Sequence, residues 1–274
     1  MRLGPDSNTT ANATYGMALN NTRGSISGAG GFSKTGAATL TLAGSNTFTG
    51  AMAVNAGTLQ VASLNGVSNG TPTSNLGAPT TVAEGTISLG SGATAGTLLY
   101  KGTNETSDRV INLAGATGGA VLDQSGPGGL LKFTSALTAT GVGAKTLTLQ
   151  GSTAGTGELG GAIVDSSGGA TTLLKAGTGT WILSGANTYS GETRITTGTL
   201  SLASRASLRA GTDVYISSGA TIDLNYTGTI FIHALFINGE LQPPGYYGAN
   251  NHSPFITGTG VLATPLHGAV LVVR

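Results

Sequence analysis

Two stretches of the chain share one spacing of glycines and apolar residues at an offset of 175 − 34 = 141 positions. Residues 32–63 read FSKTGAATLTLAGSNTFTGAMAVNAGTLQVAS, and residues 173–204 read LLKAGTGTWILSGANTYSGETRITTGTLSLAS. Aligned without a gap, they place identical residues together at many positions, among them Lys34 with Lys175, Gly44 with Gly185, Asn46 with Asn187, and Gly50 with Gly191. We interpret the two stretches as an internal repeat.

Within both copies, apolar residues alternate with polar ones over short runs that end at glycines. Trp181 and Leu183 form one such run, and Leu200 and Leu202 form another. This period of two between glycine turns predicts short strands with one buried face. No periodic helix of ten residues or more is visible, so the chain is predicted to be all-β.

The shared pattern is Lys-x-Gly, followed by Gly-x-Asn-Thr-Phe/Tyr-x-Gly and Gly-Thr-Leu. It resembles the autotransporter-associated β-strand repeat, also called the passenger-associated transport repeat. The resemblance implies a right-handed parallel β-helix (a solenoid of stacked coils) in a bacterial protein that is extracellular or displayed on the cell surface. Such a repeat informs on architecture far more than on activity.

We expect three regions along this solenoid. Residues 1–24 are predicted to form an N-terminal cap or first coil, residues 25–228 the β-helix, and residues 229–274 a modified C-terminal cap. Asn238-Gly239 in the last region is a strong hairpin signal. A final apolar run is predicted to pair with the coil edge of a neighbouring copy. Its residues are Ala269, Val270, Leu271, Val272 and Val273.

Composition excludes several function classes. There are 12 Lys and Arg against 11 Asp and Glu, without a basic cluster, so nucleic acid is not an expected partner. The absence of cysteine excludes disulfides and thiolate sites. No run approaches 18 apolar residues, so no membrane-spanning helix is predicted, and the N-terminus lacks the apolar region of a signal peptide. No cofactor is expected.

The densest charged stretch, residues 104–109 (NETSDR), is the strongest candidate for an enzyme site. A β-helical polysaccharide-degrading enzyme would need carboxylates gathered on one face, and Glu105, Asp108 and Asp123 are the candidates. We favour the simpler reading, in which Asp108 and Arg109 pair with neighbours in a surface turn.

Other polar residues are interpreted as structural. The three histidines show no metal-ligand spacing, and residues 118–123 only loosely resemble a calcium-binding nonapeptide, so no metal site is predicted. Asn46 and Asn187 are expected to satisfy backbone groups at turns. The aromatic residues two positions on are expected to lie in the core or cover a turn, and the two repeat lysines to lie solvated at turns. The histidines and aromatics concerned are His233, His252, His267, Phe48 and Tyr189.

These observations favour a non-enzymatic structural β-helix outside the cell, assembling end to end with copies of itself into filaments. The alternative is a monomeric adhesin or glycan-binding passenger region. Its expected contact points are the loop at residues 64–79 and the loop at residues 101–109. A polysaccharide-degrading enzyme is the third possibility.

Overall fold

The computed structural model describes residues 25–67, 73–152 and 154–265. The predicted N-terminal cap at residues 1–24, His267 and the apolar run at residues 269–273 lie outside the described residues. Helix in the described part is confined to short segments: α1 (Val82–Gly85), α2 (Ala249–His252) and a 3-10 turn (Arg205–Ser207). The chain is otherwise built from strands, turns and loops.

The strands, numbered along the chain, form four sheets. A four-stranded sheet contains β1 (Phe32–Lys34), β3 (Met52–Val54), β5 (Ile87–Leu89) and β8 (Ile111–Leu113). A ten-stranded sheet, here the long sheet, contains β2 (Thr39–Thr41), β4 (Gly57–Val61), β6 (Gly96–Tyr100), β9 (Ala120–Gln124), β11 (Lys145–Gly151), β13 (Thr171–Lys175), β15 (Thr193–Ile195), β17 (Asp213–Ile216), β20 (Ala234–Ile237) and β21 (Glu240–Leu241).

A seven-stranded sheet contains β7 (Glu105–Ser107), β10 (Gly129–Phe133), β12 (Gly155–Leu159), β14 (Thr180–Leu183), β16 (Gly198–Leu202), β18 (Ala220–Leu224) and β23 (Ile256–Gly258). A three-stranded sheet, here the terminal sheet, contains β19 (Thr229–Phe231), β24 (Val261–Thr264) and β22 (Gly245–Tyr247).

Successive coils stack through parallel strand pairs. From β5 to β10 the chain visits the four-stranded, long and seven-stranded sheets in turn, twice over. Parallel partners in the long sheet lie between 58 − 39 = 19 and 147 − 120 = 27 residues apart, except at one step. That step, from Thr58 to Thr97, takes 39 residues because it includes the loop at residues 64–79. The predicted fold, an all-β parallel β-helix, is confirmed.

The two repeats occupy different faces of this solenoid. In the first copy, β1 lies in the four-stranded sheet and β2 in the long sheet. Their counterparts in the second copy, β13 and β14, lie in the long sheet and the seven-stranded sheet. The repeated unit is therefore turned by one face, about a third of a coil, between its two occurrences.

The core consists of in-register rows of aliphatic side chains along the inside of each sheet. One row of the long sheet passes from strand to strand and is almost entirely Leu and Ile. Its members are Leu40, Leu59, Leu98, Leu122, Leu149, Lys175, Ile195, Ile216 and Ile237, all buried. Burial of such side chains contributes about 1.5–3 kcal/mol each, which makes these rows the main source of stability.

Near the C-terminal end of the described residues, two strand pairs are antiparallel. Asn238 and Gly239 both have positive φ (53° and 84°), and they turn β20 into the antiparallel strand β21. On the neighbouring face, β22 pairs antiparallel with β24. Two of the three faces therefore end in an antiparallel strand within the described residues.

Candidate functional site

The asparagine of each repeat links three successive coils. The Asn187 side-chain oxygen accepts from the Ile163 amide at 2.8 Å, and its Nδ2 donates to the Ser207 carbonyl at 2.6 Å. Asn46 makes the same pair of contacts, from the Ile26 amide at 2.9 Å and to the Asn75 carbonyl at 2.7 Å. Both side chains are buried, so these residues hold the scaffold together and present no ligand group.

The repeat lysines are buried, and the prediction that they are solvated at turns is wrong. Lys34 and Lys175 are 2% and 0% exposed. The Lys175 ammonium donates to the carbonyls of Ala176, Gly177 and Thr197 at 2.7–3.0 Å. Lys34 donates to three carbonyls at the matching positions. Three acceptors on two adjacent coils satisfy the three donors of an ammonium group, which is why it tolerates burial.

A third buried lysine was not singled out from the sequence. Lys145 donates to the carbonyls of Gly115 and Gly141 from an inward-facing position at the start of β11. Burial lowers the pKa of all three lysines, and that of Lys175 to about 8. The alternation along each strand could have predicted this burial. In β13, for example, Leu173 and Lys175 are two positions apart and therefore face the same side.

The remaining repeat positions are also structural. Phe48 and Tyr189 lie in the core. Gly50 and Gly191 lie where coils approach closely, because an added Cβ would lie 2.3 Å from Gly31 N and 2.4 Å from the Thr171 carbonyl oxygen, respectively. An added Cβ at Gly185 would lie 2.4 Å from the Gly161 carbonyl oxygen. Gly44 adopts φ 78°, in the left-handed region that glycine favours.

The charged stretch at residues 104–109 fastens the loop at residues 64–79. A Glu105 carboxylate oxygen accepts from the amides of Leu64 and Asn65, and an Asp108 oxygen accepts from the Val67 amide. Arg109 donates through Nη2 to the Leu76 carbonyl at 2.8 Å. Arg109 is 1% exposed, so the expected surface turn is corrected to a buried clamp.

Of the three carboxylates considered for an enzyme site, Glu105 and Asp108 are hydrogen-bonded within this clamp. Glu105 lies in the seven-stranded sheet and Asp123 in the long sheet. Asp123 accepts from Gln150 at 2.7 Å and from Ser125. The two loops proposed as adhesin contact points, at residues 64–79 and 101–109, are bound to each other through the clamp.

The described histidines take separate places. His233 is exposed and its Nδ1 lies 2.6 Å from an Asp213 carboxylate oxygen. His252 packs edge-on against Tyr247, with ring centroids 4.7 Å apart. Within residues 25–67, 73–152 and 154–265, no group of three or more His, Asp or Glu side chains is placed to hold a metal ion. Nor is any helix of this part long and apolar enough to cross a membrane.

Five large apolar side chains are exposed among the described residues. Phe231, Leu241 and Tyr246 lie near the C-terminal end, whereas Val82 and Val142 lie elsewhere. Phe231 and Tyr246 are 60% and 68% exposed. They lie in one row across the terminal sheet, because β24 places Ala263 opposite both of them. We call Phe231, Ala263 and Tyr246 the aromatic row.

An open groove of about 530 Å³ adjoins the aromatic row. It runs between the 3-10 turn and β19, and Phe231 forms one wall. Arg205 reaches into it, and none of its lining residues is acidic. Its lining includes Ser204, Arg205, Thr229 and Phe231.

Two segments of the chain match the model of a known repeat family. Residues 32–61 and 173–202 match the model of the passenger-associated transport repeat. The chain therefore carries two copies of this repeat, as its sequence predicted, and the stacked parallel strands show how they build a β-helix.

One relative is the protein named "Adhesin BmaC autotransporter" from Brucella suis biovar 1 (strain 1330), 36% identical over 145 residues. The match covers 52% of this chain and 4% of that protein, so the chain spans a small part of its relative's length. No solved structure matches the chain. The repeat and the relative agree with the predicted location, extracellular or on the bacterial cell surface.

Proposed function

We propose that this chain is a non-catalytic part of a surface adhesin passenger. The β-helix is the scaffold, and the C-terminal coils carry the contact surface. The observation that carries this proposal is that the polar side chains of the repeats and the exposed aromatic side chains have different environments. The polar groups of the repeats bond to backbone inside the scaffold, whereas Phe231 and Tyr246 are exposed near its end. Exposed apolar side chains that cluster on one surface mark interaction sites.

The clamp supports the non-catalytic reading. Glu105 and Asp108 accept from backbone amides of the loop, and Arg109 donates to its carbonyls. Groups engaged in this way hold a loop in place and are not free to transfer a proton to a substrate. The name of the relative, an adhesin, points in the same direction.

The runner-up is end-to-end assembly of copies into filaments through residues 269–273. One observation favours it. The outer edge of β23 carries no further strand within the part of the chain that the structure describes. An unpaired strand edge is a ready template for a strand from another chain. The antiparallel strands on the other two faces oppose such growth, so the adhesin is preferred.

Binding and assembly are separated by two measurements on the same preparation. Binding of the purified chain to host cells and to immobilised extracellular matrix is measured, and negative-stain electron microscopy records the particle form. The proposal expects saturable binding by single rods. Regular filaments without binding would overturn it, and loss of those filaments on truncation after His267 would establish the runner-up.

A further inference from the structure

The groove beside Phe231 combines an exposed aromatic wall with an uncommitted cation. The guanidinium of Arg205 makes no hydrogen bond or ion pair within the described residues. The nearby Arg209, by contrast, acts on the Asp165 carboxylate and lies outside the groove lining. We propose that the groove binds a carboxylated sugar, with a sugar ring against Phe231 and the carboxylate on Arg205. This inference rests on the proposed adhesin function and names the ligand of its contact surface.

Charge complementarity selects an anionic ligand. A guanidinium offers parallel N–H donors that match the two oxygens of a carboxylate, and such charge-assisted pairs are stronger than neutral hydrogen bonds. With no acidic residue in the groove lining, no carboxylate of the groove itself competes for Arg205. Ser204 and Thr229 add polar groups for ring hydroxyls at the same groove.

The exposed ring of Phe231 selects a ligand with an apolar face. A pyranose ring has a C–H face that packs against an aromatic ring while its hydroxyls stay hydrated. Tyr246 lies two strands away from Phe231, about 9–10 Å at ordinary strand spacing. An oligosaccharide leaving the groove past Phe231 would therefore meet a second aromatic ring across Ala263.

The area of the aromatic row argues against a protein partner. Fully buried aromatic side chains each cover about 150–250 Å², and Phe231 and Tyr246 are 60% and 68% exposed. Together they offer about 200–300 Å², well below the roughly 800 Å² per partner of a stable protein interface. A surface of this size suits a few sugar rings, with affinity near the millimolar range for one ring and tighter for an oligosaccharide.

The test is a titration of the full chain, followed by saturation-transfer NMR and calorimetry. The probes are a hyaluronan tetrasaccharide, a sialylated trisaccharide, and the same two sugars with their carboxylates reduced to alcohols. The acidic sugars are expected to bind at least tenfold tighter than their reduced forms. Binding of only one of the two supports the proposal and identifies the source of the carboxylate.

Matched variants tie binding to the groove. Arg205→Gln is expected to weaken binding of the acidic sugar about 10- to 100-fold, while Arg209→Gln leaves it unchanged. Phe231→Ala is expected to weaken binding of acidic and reduced sugars alike. Leu241→Ala, an equally exposed apolar position on the long sheet, is the control for that loss.

Two outcomes would overturn the proposal: equal affinity for the acidic and reduced sugars, or unchanged binding in both Arg205→Gln and Phe231→Ala. Retained folding of each variant is checked by circular dichroism. Binding to cells and matrix is measured separately from sugar binding. Adhesion without sugar binding would refute the carboxylated-sugar ligand but not the proposed adhesin function.

Discussion

Replacing Asn187 with alanine tests whether the repeat asparagine holds the coils together. Asn187→Ala removes the acceptor of the Ile163 amide and the donor to the Ser207 carbonyl, both from a buried side chain. Leaving a buried backbone donor or acceptor without a partner costs about 1–3 kcal/mol for each group. We therefore expect the free energy of unfolding to fall by about 2–6 kcal/mol, the sum for the two groups.

Two measurements check this loss. Urea-induced unfolding gives the change in the free energy of unfolding. Native-state hydrogen exchange at the Ile163 amide gives the local change, and exchange should accelerate by at least tenfold. Asn250→Ala is the control, because Asn250 is exposed on α2 and should change stability by less than about 0.5 kcal/mol. An Asn187→Ala variant as stable as Asn250→Ala, with unaltered exchange at Ile163, would refute the reasoning.

Three further predictions concern burial and packing. The pKa of Lys175, about 8 when folded, lies below its unfolded value. The unfolded chain therefore binds more protons than the folded chain in this pH range. The free energy of unfolding of the wild type, relative to Lys175→Met, should rise by about 1–2 kcal/mol from pH 7 to 9.5 in urea titrations. A difference that stays constant with pH would contradict this prediction. Gly157→Ala places a Cβ about 2.5 Å from the buried Trp181 ring and should cost about 1–3 kcal/mol by thermal unfolding, unlike Gly128→Ala, which has room. Glu105→Ala should speed limited proteolysis within residues 64–79 several-fold with circular dichroism unchanged; wild-type cleavage rates would argue against the clamp.

The repeat pattern predicted most of the fold because its information is local. Alternation between glycines identifies strands such as β3 and β14, and Asn238-Gly239 specifies its hairpin through the positive φ that both residues adopt. The rotation of the second repeat by one face was not predictable. It depends on how many residues lie between the copies and on how the intervening coils and the loop at residues 64–79 are accommodated, which no short pattern records.

Misassigned polar residues share one cause, contacts between positions far apart in the chain. Arg109 donates to Leu76, 33 positions away, and Lys175 donates to Thr197, 22 positions away. A lysine or arginine is ordinarily exposed, so a local pattern places it at the surface. Only the stacked coils bring several carbonyls around one cation, and that convergence makes burial tolerable.

The rotation of the repeats also explains why a contact surface is to be sought outside them. Outward residues at equivalent repeat positions, such as Thr39 and Thr180, lie on the long sheet and the seven-stranded sheet, respectively. Two copies that point in different directions cannot form one continuous stripe, so repetition does not multiply a ligand contact along the solenoid. The polar residues that the two copies share therefore serve the interior, where Asn187 and Lys175 bond to neighbouring coils. The groove and the aromatic row arise where the repeat has ended, and a ligand-specific surface there can vary without disturbing the stacking that supports it.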